Sequence, residues 1–241
     1  ASAPVTLAAG LSLLIAETLA GVAMAQLIRP GTPCILGCFF NGVDMRSGGP
    51  SLGMPESVLT TLAGAQIAAR YGLPLRGGGG LCSAIALDAQ AAVETTMSMW
   101  ATYLAGSDLV VHSAGWLEGG LTASFEKLIL DAELLQMMAA YCDPVVVDTE
   151  SLALEAIREV GPGGHFLYQE HTRAHMRDAM RRGLTHQPAP DGGYRDPVEV
   201  ARERVDWIRA NLYVAVVCYA LDALGHRDRA MHHRLRPLDP D

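Results

Sequence analysis

Over the first 145 residues, short apolar runs alternate with longer segments whose apolar positions recur at helical spacing. The order strand, glycine-bearing turn, helix occurs four times. "APVTLA" precedes a helix over about 10–28, and "RPGTP" stops that helix. "CILGCFF" (34–40) is the second strand. The loop "NGVDMRSGGPSLGMPES" leads from it to a helix over 55–71 with Pro55 in its first turn. "LPLRGG" (73–78) and a helix over 88–104 make the third unit. "DLVVHSA" (108–114), the loop "HSAGWLEGGLTAS" and a helix over 122–141 make the fourth. Strands alternating with helices predict a parallel sheet, and near-continuous apolar strands predict helices covering it.

The alternation fades near residue 142. "VVVD" (145–148) is at most a weak fifth strand, with a proline before it and a helix directly after. Helices are expected over 149–160, 171–183, 197–212 and 213–224, with the proline- and glycine-rich loop "THQPAPDGGYRDP" among them. Four β/α units are half of an eight-stranded barrel, which needs about 250 residues in all. The expected fold is therefore α/β, the C-terminal half of a (β/α)8 TIM barrel with a helical C-terminal extension. Residues 1–145 form the β/α units and 146–241 the extension. A small open α/β sheet is the alternative.

Half of the 241 residues are hydrophobic, 18% are charged, and the net charge is −8. That charge argues against nucleic acid or an anionic membrane as partner. Five cysteines, an odd number in a chain too long to need staples, point to a reducing cytoplasm. Cys34 and Cys38 read as small buried hydrophobes on one strand face. The opening "LAAGLSLLIAETLAGVAMAQLI" lacks a basic leader and is interrupted by Glu17 and Gln26, so it reads as a core helix. The start at "ASAPVT", without an initiator Met, suggests a piece of something longer. "RGGGGL" lacks the Lys-Ser/Thr of a phosphate loop and suggests close backbone packing at a strand end.

In parallel α/β folds, sites gather at the C-terminal ends of the strands. After the second strand come Phe39, Phe40, Asn41, Asp44, Met45 and Arg46; after the third, Cys82, Ser83 and Asp88; after the fourth, His112, Trp116 and Glu118. Trp100, Tyr103 and Asp108 fall at the opposite end. Asp88 stands where a helix N-cap belongs. His171 and His175 are i, i+4 but lack a third metal ligand at a convincing spacing, and no directly bound metal is expected. His165 follows "GPGG", a close-packing approach, whereas His232 and His233 lie in a polar tail. His112, Trp116 and Glu118 combine an imidazole, an aromatic face and a carboxylate, which together suit a methylated ammonium.

Longer stretches add a resemblance. "APVTLAAGLSLLIAETLAGVAMAQLIRPGTPCILGCF", "DMRSGGPSLGMPE", "GLPLRGGGGL", "DAQAA", "LVVHSAGWLEGGLTASFEKLILDAELL" and "LALEAIREVGPGGHFLYQEHT" resemble the trimethylamine methyltransferase family, which includes glycine betaine:corrinoid methyltransferases. The likeness spans about residues 3–172 and falls on the C-terminal half of that family's (β/α)8 barrel. It implies methyl transfer from a methylated amine to Co(I) of a corrinoid (cobalamin) carried by a separate protein. His112 is then the catalytic candidate, bonding a substrate carboxylate or the leaving group. Trp116, Phe39 and Phe40 would face the cation, Glu118 or Asp44 would balance its charge, and His165 completes the substrate-binding set. Pyrrolysine, carried by trimethylamine-specific members, is absent from this sequence, which shifts the expectation toward quaternary amines such as glycine betaine. The tail after residue 176 follows the family pattern poorly. A half-barrel has two bare sheet edges, so a homo-oligomer or a complementing N-terminal half is expected. A half-barrel that binds a methylated-ammonium osmolyte without catalysis is the alternative.

Overall fold

The centre of the computed structural model, which describes residues 3–177, 183 and 185–223, is a parallel sheet of three short strands. These are β1 (Leu36–Gly37), β4 (Leu75–Gly78) and β5 (Leu109–Val111), in the order β1-β4-β5. Two antiparallel pairs flank its C-terminal edge: β2 (Gly42–Val43) with β3 (Pro50–Ser51), and β6 (Trp116–Leu117) with β7 (Thr122–Ala123). The long helices are α1 (Leu7–Ile28), α2 (Pro55–Tyr71), α3 (Ala89–Leu104), α4 (Phe125–Cys142) and α8 (Pro197–Ala223), with α5 (Thr149–Leu152), α6 (Leu154–Val160) and α7 (Glu170–His175) short.

Local chemistry accounts for most of these boundaries. Pro55 starts α2, and Gly72 ends it in the left-handed conformation that glycine takes without strain. Asp88 caps α3 by accepting the Ala91 N–H, and Ser124 caps α4 by accepting that of Lys127. Leu36, Cys38, Leu75 and Ala68 pack into one apolar cluster between the sheet and α2. Registers Gly37↔Arg76 and Arg76↔Leu109 set a second row on the opposite sheet face. No helix among the described residues lies over that face: Ile35 is 43% exposed, Phe39 40% and Leu109 49%.

Five expectations are corrected. "APVTLA" is not a strand: residues 3–6 are irregular, and the helix begins at Leu7, so three strands form the sheet and not four. "VVVD", at most a weak strand from its sequence, is not one: these residues pair with no strand and are exposed. Thr122 and Ala123 belong to the β6–β7 pair, and α4 starts after them. The two helices expected over 197–224 are one continuous helix, described to Ala223. The opening helix is not in a core. Gly10 is its one buried residue, because α1 is apolar on all sides and touches α2 along a single flank. It is also the one described helix long and apolar enough to cross a membrane. Residues 178–182 of the helix expected over 171–183, residue 224, and the tail with His232 and His233 lie outside the described residues.

The thiols give a direct check of this packing. Cys38 and Cys82 are buried, Cys34 is half-buried and Cys142 is exposed. Burial pushes the Cys38 thiol up to about 11 and raises that of Cys82. At pH 8, alkylation followed by peptide mapping should label Cys142 at least ~100-fold faster than Cys38 and Cys82. Comparable rates would contradict the packing of α2 on β1.

Candidate active site

β1, β4 and β5 are parallel and end on one side of the sheet, so the residues that follow them share a mouth. Phe39 follows β1, and its ring lies across Gly78 of β4. A Cβ at Gly78 would stand 2.8 Å from that ring, so the ring occupies space that only glycine leaves free. His112 follows β5 directly, with φ +60°. Glu118, in the same loop, has φ +52°. Left-handed backbone at residues other than glycine costs on the order of 1 kcal/mol and concentrates at functional sites. Apart from these two, only Ala153 among the described non-glycine residues shares it.

His112 stands between the other two rings. The His112 and Phe39 ring centres are 6.4 Å apart, and the His112 and Trp116 centres are 5.8 Å apart with planes at 78°. They wall a recess of about 240 Å³, completed by Asn41, Leu52 and Leu81. Aromatic faces at this spacing suit a cation without N–H donors, which gains from ring quadrupoles and needs no hydrogen-bond acceptor. Larger spaces occur between α3 and α4 (about 480 Å³) and beside α1 (about 550 Å³). The first lies in the helix layer, away from the rings. The second borders Phe39 and Phe40 but holds neither His112 nor Trp116.

The other expected residues are placed differently. Phe40 is stacked against Gly10 of α1, where a Cβ would be 2.3 Å from its ring, so it faces the helix side. Asp44 closes its own turn, accepting from the Arg46 and Ser47 N–H groups and the Ser47 hydroxyl. These bonds hold its carboxyl below the usual range and keep it from the recess. Glu118 stands on the rim, its carboxylate 2.5 Å from the Thr122 hydroxyl. His165 lies in the exposed 161–168 segment, its ring 5.4 Å from that of Tyr168, and takes no part in the mouth. His171 and His175 stack 4.3 Å apart beside Glu150. Among the described residues, no group of three His, Cys, Asp or Glu could hold a metal ion.

Two features were not read from the sequence. Arg76, on the open face of β4, holds its guanidinium 5.5 Å over the Phe39 ring. No carboxylate among the described residues pairs with it. The run "RGGGG" drew attention to its glycines, and strand alternation from Leu75 was the signal that set Arg76 on the sheet's other face. The second feature is a buried polar cluster beneath the mouth. Lys127, 1% exposed, donates to the Gly80 carbonyl (3.3 Å), the Thr95 hydroxyl (3.0 Å) and Asp131 Oδ2 (2.5 Å). The same Asp131 oxygen accepts the Gly115 N–H at 2.8 Å. Burial raises the Asp131 carboxyl above its ordinary range, and its bonds with Lys127 and Gly115 work against that rise. Beside it, buried Glu94 accepts the Ser83 and Ala84 N–H groups, and the Ser83 hydroxyl joins Leu52.

Residues 1–187 match the family model described as trimethylamine methyltransferase. The chain belongs to the trimethylamine methyltransferase family. This family member is similar to the glycine betaine methyltransferase of Desulfitobacterium hafniense (strain Y51): 41% identical over 224 residues, covering 91% of this chain and 47% of that protein. It is 34% identical to a trimethylamine methyltransferase of Methanosarcina acetivorans, covering 100% of this chain and 45% of that one. It is 33% identical to one from Desulfitobacterium hafniense (strain DSM 10664 / DCB-2), covering 73% and 36%. The chain thus spans about half the length, or less, of the curated relatives it matches.

Lys127→Met would leave the Asp131 carboxylate buried without its counter-ion. By urea denaturation this variant should lose about 3–5 kcal/mol of stability. A loss below ~1 kcal/mol, the range of an exposed ion pair, would contradict the burial of the pair.

Proposed function

We propose that this chain carries the substrate half of a methylamine:corrinoid methyltransferase, and that its recess holds the quaternary ammonium of the methyl donor. The observation that carries the reading is the convergence of Phe39, His112 and Trp116 on one recess at the C-terminal ends of parallel strands. Family membership gives the reaction class: the relatives are named for glycine betaine and trimethylamine.

The donor is read as quaternary, and glycine betaine suits the site better than trimethylamine. Each aromatic contact with the cation contributes about 0.5–2 kcal/mol. Arg76, which pairs with no carboxylate among the described residues, stands over Phe39; it suits a carboxylate on the same molecule and opposes a bare cation. Anion toward Arg76 and ammonium toward Trp116 would direct one methyl group out of the mouth. There the corrinoid of a partner protein supplies the Co(I) that accepts the methyl group. The chain's own task is to desolvate the cation, orient it and let the demethylated amine leave. His112, exposed at the mouth, would bond the carboxylate or the departing amine.

We read the fold as the second half of a (β/α)8 barrel. A parallel sheet covered on one face alone, with free edges at β1 and β5 and apolar residues on its open face, supports that reading. So does the length of the relatives. A complementing half, or a second copy, would cover the open face and the free flank of α1.

The test mixes the full chain with Co(I) cobalamin and a panel of methylated amines, following methyl-Co(III) spectrally. Turnover with glycine betaine, reduced at least ~10-fold by Trp116→Ala, is expected. Unchanged transfer in both Trp116→Ala and His112→Ala would overturn the site. Binding of betaine without transfer would favour the non-catalytic reading.

A further inference from the structure

The loop that carries His112 and Trp116 is held in an unfavourable shape, and what holds it is visible. Its backbone is anchored from three sides. Glu118 and Gly119 donate to the carbonyls of Ala84 and Cys82, and Ser124 donates to that of Gly115. The third anchor lies between the two rings in the chain: the Gly115 N–H, bound to Asp131 Oδ2 at 2.8 Å. Gly115 has φ +84° and packs on α4, where a Cβ would be 3.4 Å from that of Leu128. Asp131 is oriented in turn by Lys127, whose other bonds reach Gly80, in the turn after β4, and Thr95 on α3.

We propose that Asp131, oriented by Lys127, is a positioning residue that keeps His112 left-handed and Trp116 perpendicular to it, by fixing the Gly115 N–H between them. His112 lies three residues before Gly115, and Trp116 directly follows it. Strained backbone persists only where its surroundings over-determine it. Without the Asp131 anchor, His112 relaxes to negative φ, its ring leaves the recess and the aromatic wall opens. The effect on an ammonium ligand rests on the reading of the recess given above; the effect on loop geometry does not.

The experiment is the double substitution K127M/D131L in the full chain, which replaces the pair by apolar groups of similar size so that no buried charge is left behind. The chain is labelled with fluorotryptophan, and the Trp116 resonance is assigned by Trp116→Phe. The expected result is a folded protein in which the Trp116 resonance shifts or broadens while that of Trp100 stays in place. Tetramethylammonium should bind at least tenfold more weakly than to the parent. A folded double variant with an unmoved Trp116 resonance overturns the proposal, whatever happens to stability. If tetramethylammonium binds neither protein, the ammonium reading fails, and the Trp116 resonance still decides the positioning role. Asp131→Asn is the second arm should the double variant not fold. Its uncharged oxygen is a weaker acceptor, so the Gly115 amide should exchange with solvent at least tenfold faster, and an unchanged rate overturns the proposal.

Discussion

One buried ion pair ties together the elements that meet at the mouth of this sheet. Lys127 and Asp131 are one turn apart on α4, and their side chains are 2% and 7% exposed. Desolvating two charges is costly, and their attraction offsets that cost only when the remaining hydrogen-bonding groups are satisfied. Here they are. Gly80, Thr95 and Asp131 accept from the ammonium, and Asp131 takes the Gly115 N–H as well. The pair thereby joins the turn after β4, the helix α3, the helix α4 and the loop after β5. These elements meet where the strands end, and apolar packing alone would not fix the hydrogen-bonding direction of turns so rich in glycine.

The glycines and the polar cluster work together. A Cβ at Gly80 would stand 2.5 Å from the Ser113 carbonyl oxygen, so the turn after β4 lies tight against the loop that follows His112. Close approach of two backbones leaves little room for side-chain wedges, and buried Lys127 and Glu94 supply partners for the backbone groups there. On this frame Phe39, His112 and Trp116 stand in a fixed relation, Phe39 across Gly78 and Trp116 directly after Gly115. A recess for a cation without hydrogen-bond donors gains more from rigid placement than from flexible contacts, because little ordering is left to do on binding.

Elements defined by local chemistry were legible in the sequence. The helix over 55–71 is found with the expected ends, because Pro55 and Gly72 mark them independently of tertiary context. The Asp88 cap was equally readable, and so was the turn from β5 into a loop of mouth residues. The opening helix misled: an apolar helix normally signals a core, but burial needs neighbours on every side, and α1 is covered along one flank, by α2 and Phe40. "APVT" and "VVVD" have strand-like composition but join no sheet, because composition does not say which segments are brought to an edge. Lys127 and Asp131 were invisible for another reason, since a Lys–Asp pair at i, i+4 on a helix usually faces water. Which candidates converge was not readable either. Strand-end logic collected Phe40, Asp44 and Glu118 beside Phe39, His112 and Trp116. Only three-dimensional placement turns Phe40 under α1 and Asp44 into its own turn.

The central claim is that a quaternary cation sits among Phe39, His112 and Trp116. The most direct measurement is an anomalous-scattering map of crystals soaked with tetramethylarsonium, a heavy-atom relative of the quaternary ammonium. The arsenic peak is expected inside the recess, in contact with all three rings. A peak in the space beside α1 or between α3 and α4, with the ring recess left empty, would contradict it.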